Sequence, residues 1–515
     1  MRWIKIAFCL LVTVLSGQES FAAGKATHVV LVVWDGMRPD FVSAATTPTL
    51  FAMARDGVNF LHHHPVYPSM TEVNATALAT GVYPFQSTII ANNEFRPAYN
   101  AFKPVETDLL STARQGDELT GGHYLAFPTV AEILHQHGIR TAVAGSKPVA
   151  LLHDRAARSD DSLGVDVFAG QSLPEAIAQK LEASLGKFPE PNPGKIDIDQ
   201  WTTKALTGSL WQNGVPAFSV LWLAEPDYSQ HQTGVGSKAA LAAITSSDHD
   251  LGLVLKTLEE KHLQDSTDII VVSDHGFSTI ITNIDAAAVL RRHGFRAWTK
   301  FPQTERQNGD IMAINLGGVF YCYVTGHDPD LIAQIVHFLQ AQPFTGVVFS
   351  QKPVDGTFPL ADAGFNSPLA PDIAVSMRWN SDQNQHGAPG LIYSTGGLKA
   401  GQGQHASLSQ YDMHNTCIAF GPDFAKGMND SLPTGNIDIA PTILWILGIE
   451  PTEKMSGRVL SEALTLAGPA VQGSRSQHQQ TKWKGDGFVW SQYLDSSEVN
   501  GVKYLDQGNG RQITP

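Results

Sequence analysis

Three short, mostly β-branched apolar runs each end in an aspartate: His28-Val-Val-Leu-Val-Val-Trp-Asp35, Phe218-Ser-Val-Leu-Trp-Leu-Ala-Glu-Pro-Asp227 and Asp268-Ile-Ile-Val-Val-Ser-Asp274. Runs without polar alternation suit strands buried on both faces, as in a largely parallel sheet covered by helices. Between them, helical periodicity covers residues 47–56, 72–80, 129–137 and 238–260, and Gly57, Gly81 and Gly138 close the first three. Strands alternating with helices predict an α/β protein with a doubly wound, mostly parallel central sheet flanked by helices. In such sheets the functional crevice lies outside the carboxyl ends of the strands, so three strand-end aspartates are expected to converge there.

The pattern changes twice. Residues 281–397 mix elements, with a helix expected over 328–339 and a strand at Gly346-Val-Val-Phe-Ser, and read as an inserted smaller α+β subdomain. The catalytic core is then expected in two parts, 25–280 and 398–465. A polar Gln/Ser/Lys stretch after 466 leads into an expected hairpin at Gly487-Phe-Val-Trp and Val502-Lys-Tyr-Leu, making 466–515 a C-terminal extension packing on the core.

At the other end, Arg2 and Lys5 precede the apolar run 6–15, and Ser20-Phe-Ala22 offers small residues before a cut. This is the form of a secretory signal peptide over residues 1–22. It implies export, to the periplasm in the first reading and otherwise to the extracellular space. No other stretch has the roughly 18 consecutive apolar residues of a spanning helix, so no membrane anchor is expected.

Among 515 residues, 35 Lys and Arg face 49 Asp and Glu, a formal charge of −14, without a long basic run. That balance argues against a long nucleic acid or an anionic membrane as partner and leaves small molecules. Cys322 and Cys417 sit in strand-like apolar runs and read as two buried thiols, with a disulfide between them left open.

Chemistry concentrates at a few positions. Asp35 lies in Trp-Asp-Gly, Asp227 and His231 are spaced i, i+4, Asp274-His275-Gly276 ends a strand, and His405 lies in Gly-Gln-His. Taken singly, a strand-end Asp caps a helix and a buried His is a satisfied core residue. Together, three carboxylates and three imidazoles suit Zn²⁺ and are enough for two sites with open positions. Ser69 and Glu72 in Pro-Ser-Met-Thr-Glu have capping-box spacing. This places Thr71 in the first turn of a helix, where free N–H groups favour phosphate. Its hydroxyl becomes a competent nucleophile beside a divalent metal.

In this order, Trp34-Asp-Gly, Tyr67-Pro-Ser-Met-Thr71, Ile90-Ala-Asn92-Asn, Glu225-Pro-Asp-Tyr-Ser-Gln-His231, Ser273-Asp-His-Gly276, Gly403-Gln-His405 and Asp438-Ile-Ala-Pro-Thr-Ile-Leu resemble the alkaline phosphatase superfamily, within it the nucleotide pyrophosphatase/phosphodiesterase branch. The resemblance spans about residues 28–465 and implies two Zn²⁺ per subunit. Asp227, His231 and His405 would hold one, and Asp35, Asp274 and His275 the other, which Thr71 would join. Thr71 would attack phosphorus in line, giving a phospho-threonine that water hydrolyses, and Asn92 would donate to a phosphoryl oxygen. The implied substrate is a small phosphodiester or pyrophosphate.

The chain departs from the family pattern at Gln230 and Ala406, where Gly is usual, and it lacks the Cys/Ser-x-Pro-x-Arg segment of sulfatases. Lys147 resembles a phosphate-clamping lysine of related phosphomonoesterases, but Val149 stands where those have Arg. Lys147 is therefore a candidate substrate-binding residue, and its alternative is a solvated turn lysine. A phosphomonoesterase is the second reading and an inactive metal-binding protein the third. His62, His63 and His64 read as a loop with diverging side chains, Asp248-His249-Asp250 as non-converging helix positions, and His414 as a supporting residue. Tyr228, Phe95 and Trp222 are candidates to stack on an aromatic group or simply to fill the core.

Overall fold

The computed structural model describes residues 24–191, 194–303 and 306–513; the expected signal peptide lies outside them. A nine-stranded sheet runs in the order Met428–Gly435, Val58–His64, Cys417–Phe420, Thr267–Val272, His28–Trp34, Phe218–Leu223, Thr141–Gly145, Gly164–Phe168, Gln171–Leu173. Its five central-to-outer strands from Thr267–Val272 to Gly164–Phe168 are mutually parallel. Along His28–Trp34, Val29, Leu31 and Val33 enter one apolar cluster, and Val30, Val32 and Trp34 enter another. Both faces are therefore core, which explains the absence of polar alternation. Each fully buried Val or Leu contributes roughly 1.5–3 kcal/mol.

One face is covered by helices Pro48–Asp56 and Lys238–Glu260, the other by Thr71–Thr80, Val130–Gln136 and Ile439–Ile446. Thr129 and Glu132 form a reciprocal capping box at the fourth of these. Asp248 accepts the N–H groups of Thr49 and Leu50, so one helix caps another across this layer. No helix among the described residues is long and apolar enough to cross a membrane.

Three expectations are corrected. His62, His63 and His64 do not form a loop but end the strand Val58–His64. His63 is paid for by Thr434 Oγ1 at 2.8 Å and Asn436 Oδ1 at 2.9 Å, which lets a polar run enter the sheet. The polar stretch after 466 contains strand Arg475–Gly485, so the C-terminal hairpin is a three-stranded antiparallel sheet. That strand is exposed along most of its length and lacks the apolar alternation that announces a strand. The Ser69–Glu72 capping box is absent, as described below.

Within 281–397, a six-stranded sheet packs with helices Ala286–Arg292 and Pro329–Gln340 around a separate core, into which Trp490 of the C-terminal sheet inserts. The same C-terminal sheet reaches the main sheet through His64 Nε2 and Asp506 Oδ1, 3.0 Å apart. Cys322 and Cys417 are buried, free thiols.

Candidate metal centre

Strands Thr267–Val272, His28–Trp34 and Phe218–Leu223 are adjacent and in register, with Val33 opposite Val272 and Trp34 opposite Leu223. Their carboxyl ends therefore deliver Asp274, Asp35 and Asp227 to one crevice. The backbone secures this: Asp227 N–H donates to the Asp35 carbonyl at 2.9 Å, and Gly36 N–H donates to Asp274 Oδ1 at 2.9 Å. Asp227 opens the short helix Asp227–Thr233, which carries His231 one turn on. Gly276 permits a close backbone crossing, since a Cβ there would collide with the Tyr411 carbonyl.

The three imidazoles are oriented alike. Nδ1 of His231 lies 2.9 Å from the Gly403 carbonyl, Nδ1 of His275 lies 2.9 Å from the Gly276 carbonyl, and Nδ1 of His405 lies 2.7 Å from the Ser69 carbonyl. A carbonyl only accepts, so each Nδ1 carries a proton and each ring turns its Nε2 inward. Those nitrogens meet carboxylates: His231 Nε2 is 3.1 Å and His405 Nε2 3.7 Å from Asp227 Oδ1, and His275 Nε2 is 3.2 Å from Asp274 Oδ2 and 3.6 Å from Asp35 Oδ1. Asp35 Oδ1, Asp227 Oδ1 and Asp274 Oδ2 are buried and accept no hydrogen bond among the described residues. Burial holds His275 and His405 below the ordinary imidazole range, so at these two rings acceptor faces acceptor, an arrangement that a bound cation satisfies; at His231 burial acts the same way but the Asp227 carboxylate outweighs it and raises the ring's pKa.

Two groups of donor atoms lie within 4.8 Å of one another: Asp35, Asp274 and His275, and Asp227, His275 and His405. His275 belongs to both because its ring stacks on His405, whereas His231 meets the cluster through Asp227. Burial, then the charges of Asp227 and Asp274, pushes Asp35 up to about 7. Burial likewise pushes Asp274 up to about 7. For Asp227 burial acts the same way, but Lys147 and His231 outweigh it and hold the group well below the usual carboxylate range. Burial, reinforced by His275 and His231, holds His405 well below the ordinary imidazole range.

Thr71 is the first residue of helix Thr71–Thr80, and its Oγ1 is 3.3 Å from His275 Nε2. No side chain caps this helix. Ser69 Oγ instead donates to the Ser407 carbonyl, and the Ser69 carbonyl is taken by His405. Asn74 ties the preceding loop down, accepting from Val66 N–H at 2.8 Å and donating to the Val66 and Met70 carbonyls at 3.1 Å. Asn92 Oδ1 accepts the Glu72 N–H at 3.3 Å, which leaves its amide nitrogen as a donor at the same place.

Lys147 is not a solvated turn lysine. Its Nζ lies 2.7 Å from Asp35 Oδ2 and 3.1 Å from Asp227 Oδ2. Trp222 Nε1 donates to the same Asp35 oxygen at 3.0 Å, so Trp222 is fully buried support and not a stacking surface. Phe95 is also core, packed edge-on against Phe301 and Tyr323. Tyr228 lines a pocket of about 360 Å³ with Met70, Asn92, His231, Asn315 and His405. The His414 ring packs near those of His62 and His64, and its Nε2 lies 2.8 Å from the Leu61 carbonyl.

Sequence reasoning missed Phe277, whose ring lies 4.9 Å from His231, 5.9 Å from His275 and 5.3 Å from His405. Its position two residues after His275 was the available signal. Gln230 is explained by its Nε2, which donates to the Gly36 carbonyl at 2.9 Å.

The sheet order and this crevice define an α/β protein of alkaline phosphatase-like fold with candidate metal-binding groups of carboxylates and imidazoles. The family model described as type I phosphodiesterase / nucleotide pyrophosphatase matches residues 29–402, and the chain belongs to that family. Curated relatives include ectonucleotide pyrophosphatase/phosphodiesterase family member 7 of Rattus norvegicus, 22% identical over 53% of this chain and 54% of its own length. Family member 3 of Mus musculus is 22% identical over 82% of this chain and 42% of its own length. The chain thus spans about half the length of the curated relatives it matches. Among solved structures, human ectonucleotide pyrophosphatase/phosphodiesterase 5 superposes with a TM-score of 0.58 at 18% identity, covering 85% of this chain and 100% of that one. The murine protein, solved as an inactive threonine-to-alanine variant in complex with AMP, gives 0.57 at 17% identity with the same coverage.

Proposed function

We propose that this protein is an exported, two-zinc phosphoester hydrolase that cleaves phosphodiester or pyrophosphate bonds of small substrates through a phospho-threonine intermediate. The observation that carries this reading is the convergence of three inward Nε2 atoms and three unbonded carboxylate oxygens beside the Thr71 hydroxyl. Asp227, His231 and His405 would hold one zinc, and Asp35, Asp274 and His275, with Thr71, the other. Bound there, zinc supplies Lewis acidity that lowers the pKa of a hydroxyl and offsets charge on a phosphoryl group.

Thr71 Oγ attacks phosphorus in line, its new P–O bond forming as the bond to the departing oxygen breaks. Water then attacks the phospho-threonine from the opposite side and frees Thr71. The Asn92 amide donates to a non-bridging oxygen in both steps, and the orientation set by Glu72 N–H aims it. Lys147 adds a positive charge under the crevice that the three carboxylates and a threonine alkoxide do not cancel once two zinc ions are bound. The AMP in the murine neighbour supports a nucleotide-type substrate. The division into core 25–280 and 398–465, insert 281–397 and extension 466–515, and export led by residues 1–22 to the periplasm, belong to the same reading.

The buried position of Lys147 favours one second reading, a phosphomonoesterase, because a cation inside the crevice suits a dianionic phosphate. Turnover of bis(p-nitrophenyl) phosphate against p-nitrophenyl phosphate by zinc-quantified protein decides between them. A monoester preference above about tenfold in kcat/KM reverses the assignment. Thr71→Ala is expected to keep its zinc and lose turnover; full activity in that variant would rule out the covalent route.

A further inference from the structure

Asp199 stands in none of the motifs, yet it joins two walls of the crevice. It is buried in the first turn of helix Ile196–Lys204. Its Oδ1 is hydrogen-bonded to Ser146 Oγ and accepts the Ala224 N–H at 2.8 Å, and its Oδ2 accepts the Glu225 N–H at 3.0 Å. Ser146 follows strand Thr141–Gly145, and Ala224 and Glu225 follow strand Phe218–Leu223. These strands are parallel neighbours whose ladder closes with Gly145 opposite Trp222. Beyond that pair the two chains part, one into the turn Pro148–Leu152 and the other into helix Asp227–Thr233. One carboxylate from a third element therefore bridges them where the sheet no longer does.

A second carboxylate returns the bond. Glu225 is also buried: its Oε1 accepts the N–H of Lys195, just before the same helix, at 2.8 Å, and its two oxygens accept the Ser229 hydroxyl and N–H, both at 2.9 Å. Together the two acids lock helix Ile196–Lys204 to the strand end and to the helix that carries Asp227 and His231. Each holds three donors, and a buried donor left without its acceptor is destabilising. What the bridge sets is the approach of the residues just beyond it. Lys147 follows Ser146, and Asp227 stands two residues after Glu225; Lys147 Nζ lies 3.1 Å from Asp227 Oδ2 and 2.7 Å from Asp35 Oδ2. A lysine has a flexible stem and much rotamer freedom, so it keeps such a place only where its backbone is fixed. We propose that Asp199 is a positioning residue for the crevice: by clipping Ser146 to Ala224 and Glu225 it fixes the Lys147 ammonium between Asp35 and Asp227. Its effect on turnover rests on the hydrolase reading above, whereas the placement of Lys147 is a property of the fold.

Methylation of lysines by formaldehyde and a hydride donor, read residue by residue by mass spectrometry on the zinc-loaded protein, reports how far Lys147 is released. Asp199→Ala is expected to raise the Lys147 labelling rate at least about tenfold and to leave that of the exposed Lys256 unchanged. Ser146→Ala, which keeps both backbone bonds to Asp199, is expected to raise it about threefold, and it decides the matter if Asp199→Ala does not fold. A cycle with Lys147→Met gives the kinetic counterpart. Asp199→Ala is expected to lower kcat/KM about 30-fold for the nitrophenyl ester that the wild type hydrolyses, but no more than about threefold in the Lys147→Met background, whereas a purely structural defect lowers both alike. Unchanged Lys147 labelling, labelling that rises equally at all lysines, or additive losses in the cycle would overturn the role. If the wild type hydrolyses neither nitrophenyl ester, the hydrolase reading fails by itself, and the labelling then decides for or against Asp199.

Discussion

The imidazoles of His275 and His405 stack face to face, 3.6 Å between centroids at an interplanar angle of 11°. They come from motifs 130 positions apart in sequence, and each is fixed by another residue's carbonyl, that of Gly276 for His275 and that of Ser69 for His405. Replacing either ring removes a nitrogen donor and the flat wall against which the other lies. His405→Ala is expected to lower zinc stoichiometry by about one per chain and activity by at least about 100-fold. Elemental analysis beside kinetics checks this, and full zinc content in the variant would place His405 outside the metal set.

Lys147 spans Asp35 and Asp227 and should matter more to a dianionic substrate than to a monoanionic one. Lys147→Met is expected to reduce monoester turnover about tenfold more than diester turnover, because each lost charge-assisted contact to phosphate is worth roughly 1.5–3 kcal/mol. Parallel kinetics on p-nitrophenyl phosphate and bis(p-nitrophenyl) phosphate read the difference.

Ala406 adopts φ = 79° and is fully buried next to His405. The left-handed region costs a residue with a Cβ roughly 1–2 kcal/mol. Ala406→Gly is therefore expected to stabilise the protein by up to about 1 kcal/mol, after the added freedom of glycine in the unfolded chain is subtracted. A urea melt with unchanged m-value checks it; a lower midpoint would show that the alanine methyl has a packing role that exceeds the strain.

Burial lowers the His63 pKa to about 3, against the raising effect of its Asn436 bond. A folded-state value below the ordinary 6.5 means that the unfolded chain takes up a proton first as pH falls. His63 therefore supports the fold fully above about pH 6.5, and that support declines toward pH 3. Its share of the loss between pH 6.5 and 4.5 is roughly 2–3 kcal/mol. His63→Gln should start less stable at neutral pH and show a shallower acid limb in chemical denaturation series; a parallel limb would assign acid sensitivity to other groups.

Much of the core was legible because its signals are local. A strand buried on both faces has no polar alternation, so His28–Trp34, Phe218–Leu223 and Thr267–Val272 were visible as runs, and helix Lys238–Glu260 was visible as a period with the same limits. Illegible elements either drew their stability from distant partners or lacked an apolar face of their own. The strand ending in His62–His64 depends on Thr434 and Asn436. Arg475–Gly485 is a polar edge whose ladder is supplied by Phe488–Val499. Ser69 and Glu72 had the spacing of a capping box, but the Ser69 backbone and hydroxyl were claimed by His405 and Ser407.

By itself the sequence determined which carboxylates, imidazoles and hydroxyls are candidates for metal-binding and nucleophilic chemistry, since residue type, strand-end position and motif order are properties of the linear chain. It also determined that Asp35, Asp227 and Asp274 stand at strand ends. Tertiary structure alone decided that those three strands are neighbours in register, that three imidazoles turn Nε2 inward, and that Lys147 lies beneath Asp35 and Asp227. The reason is physical: apart from His275, whose carbonyl partner is the adjacent Gly276, these arrangements depend on what a folded neighbour presents, and partners such as Ser69 for His405 and Asp35 for Lys147, 336 and 112 residues away, leave no local trace in the chain.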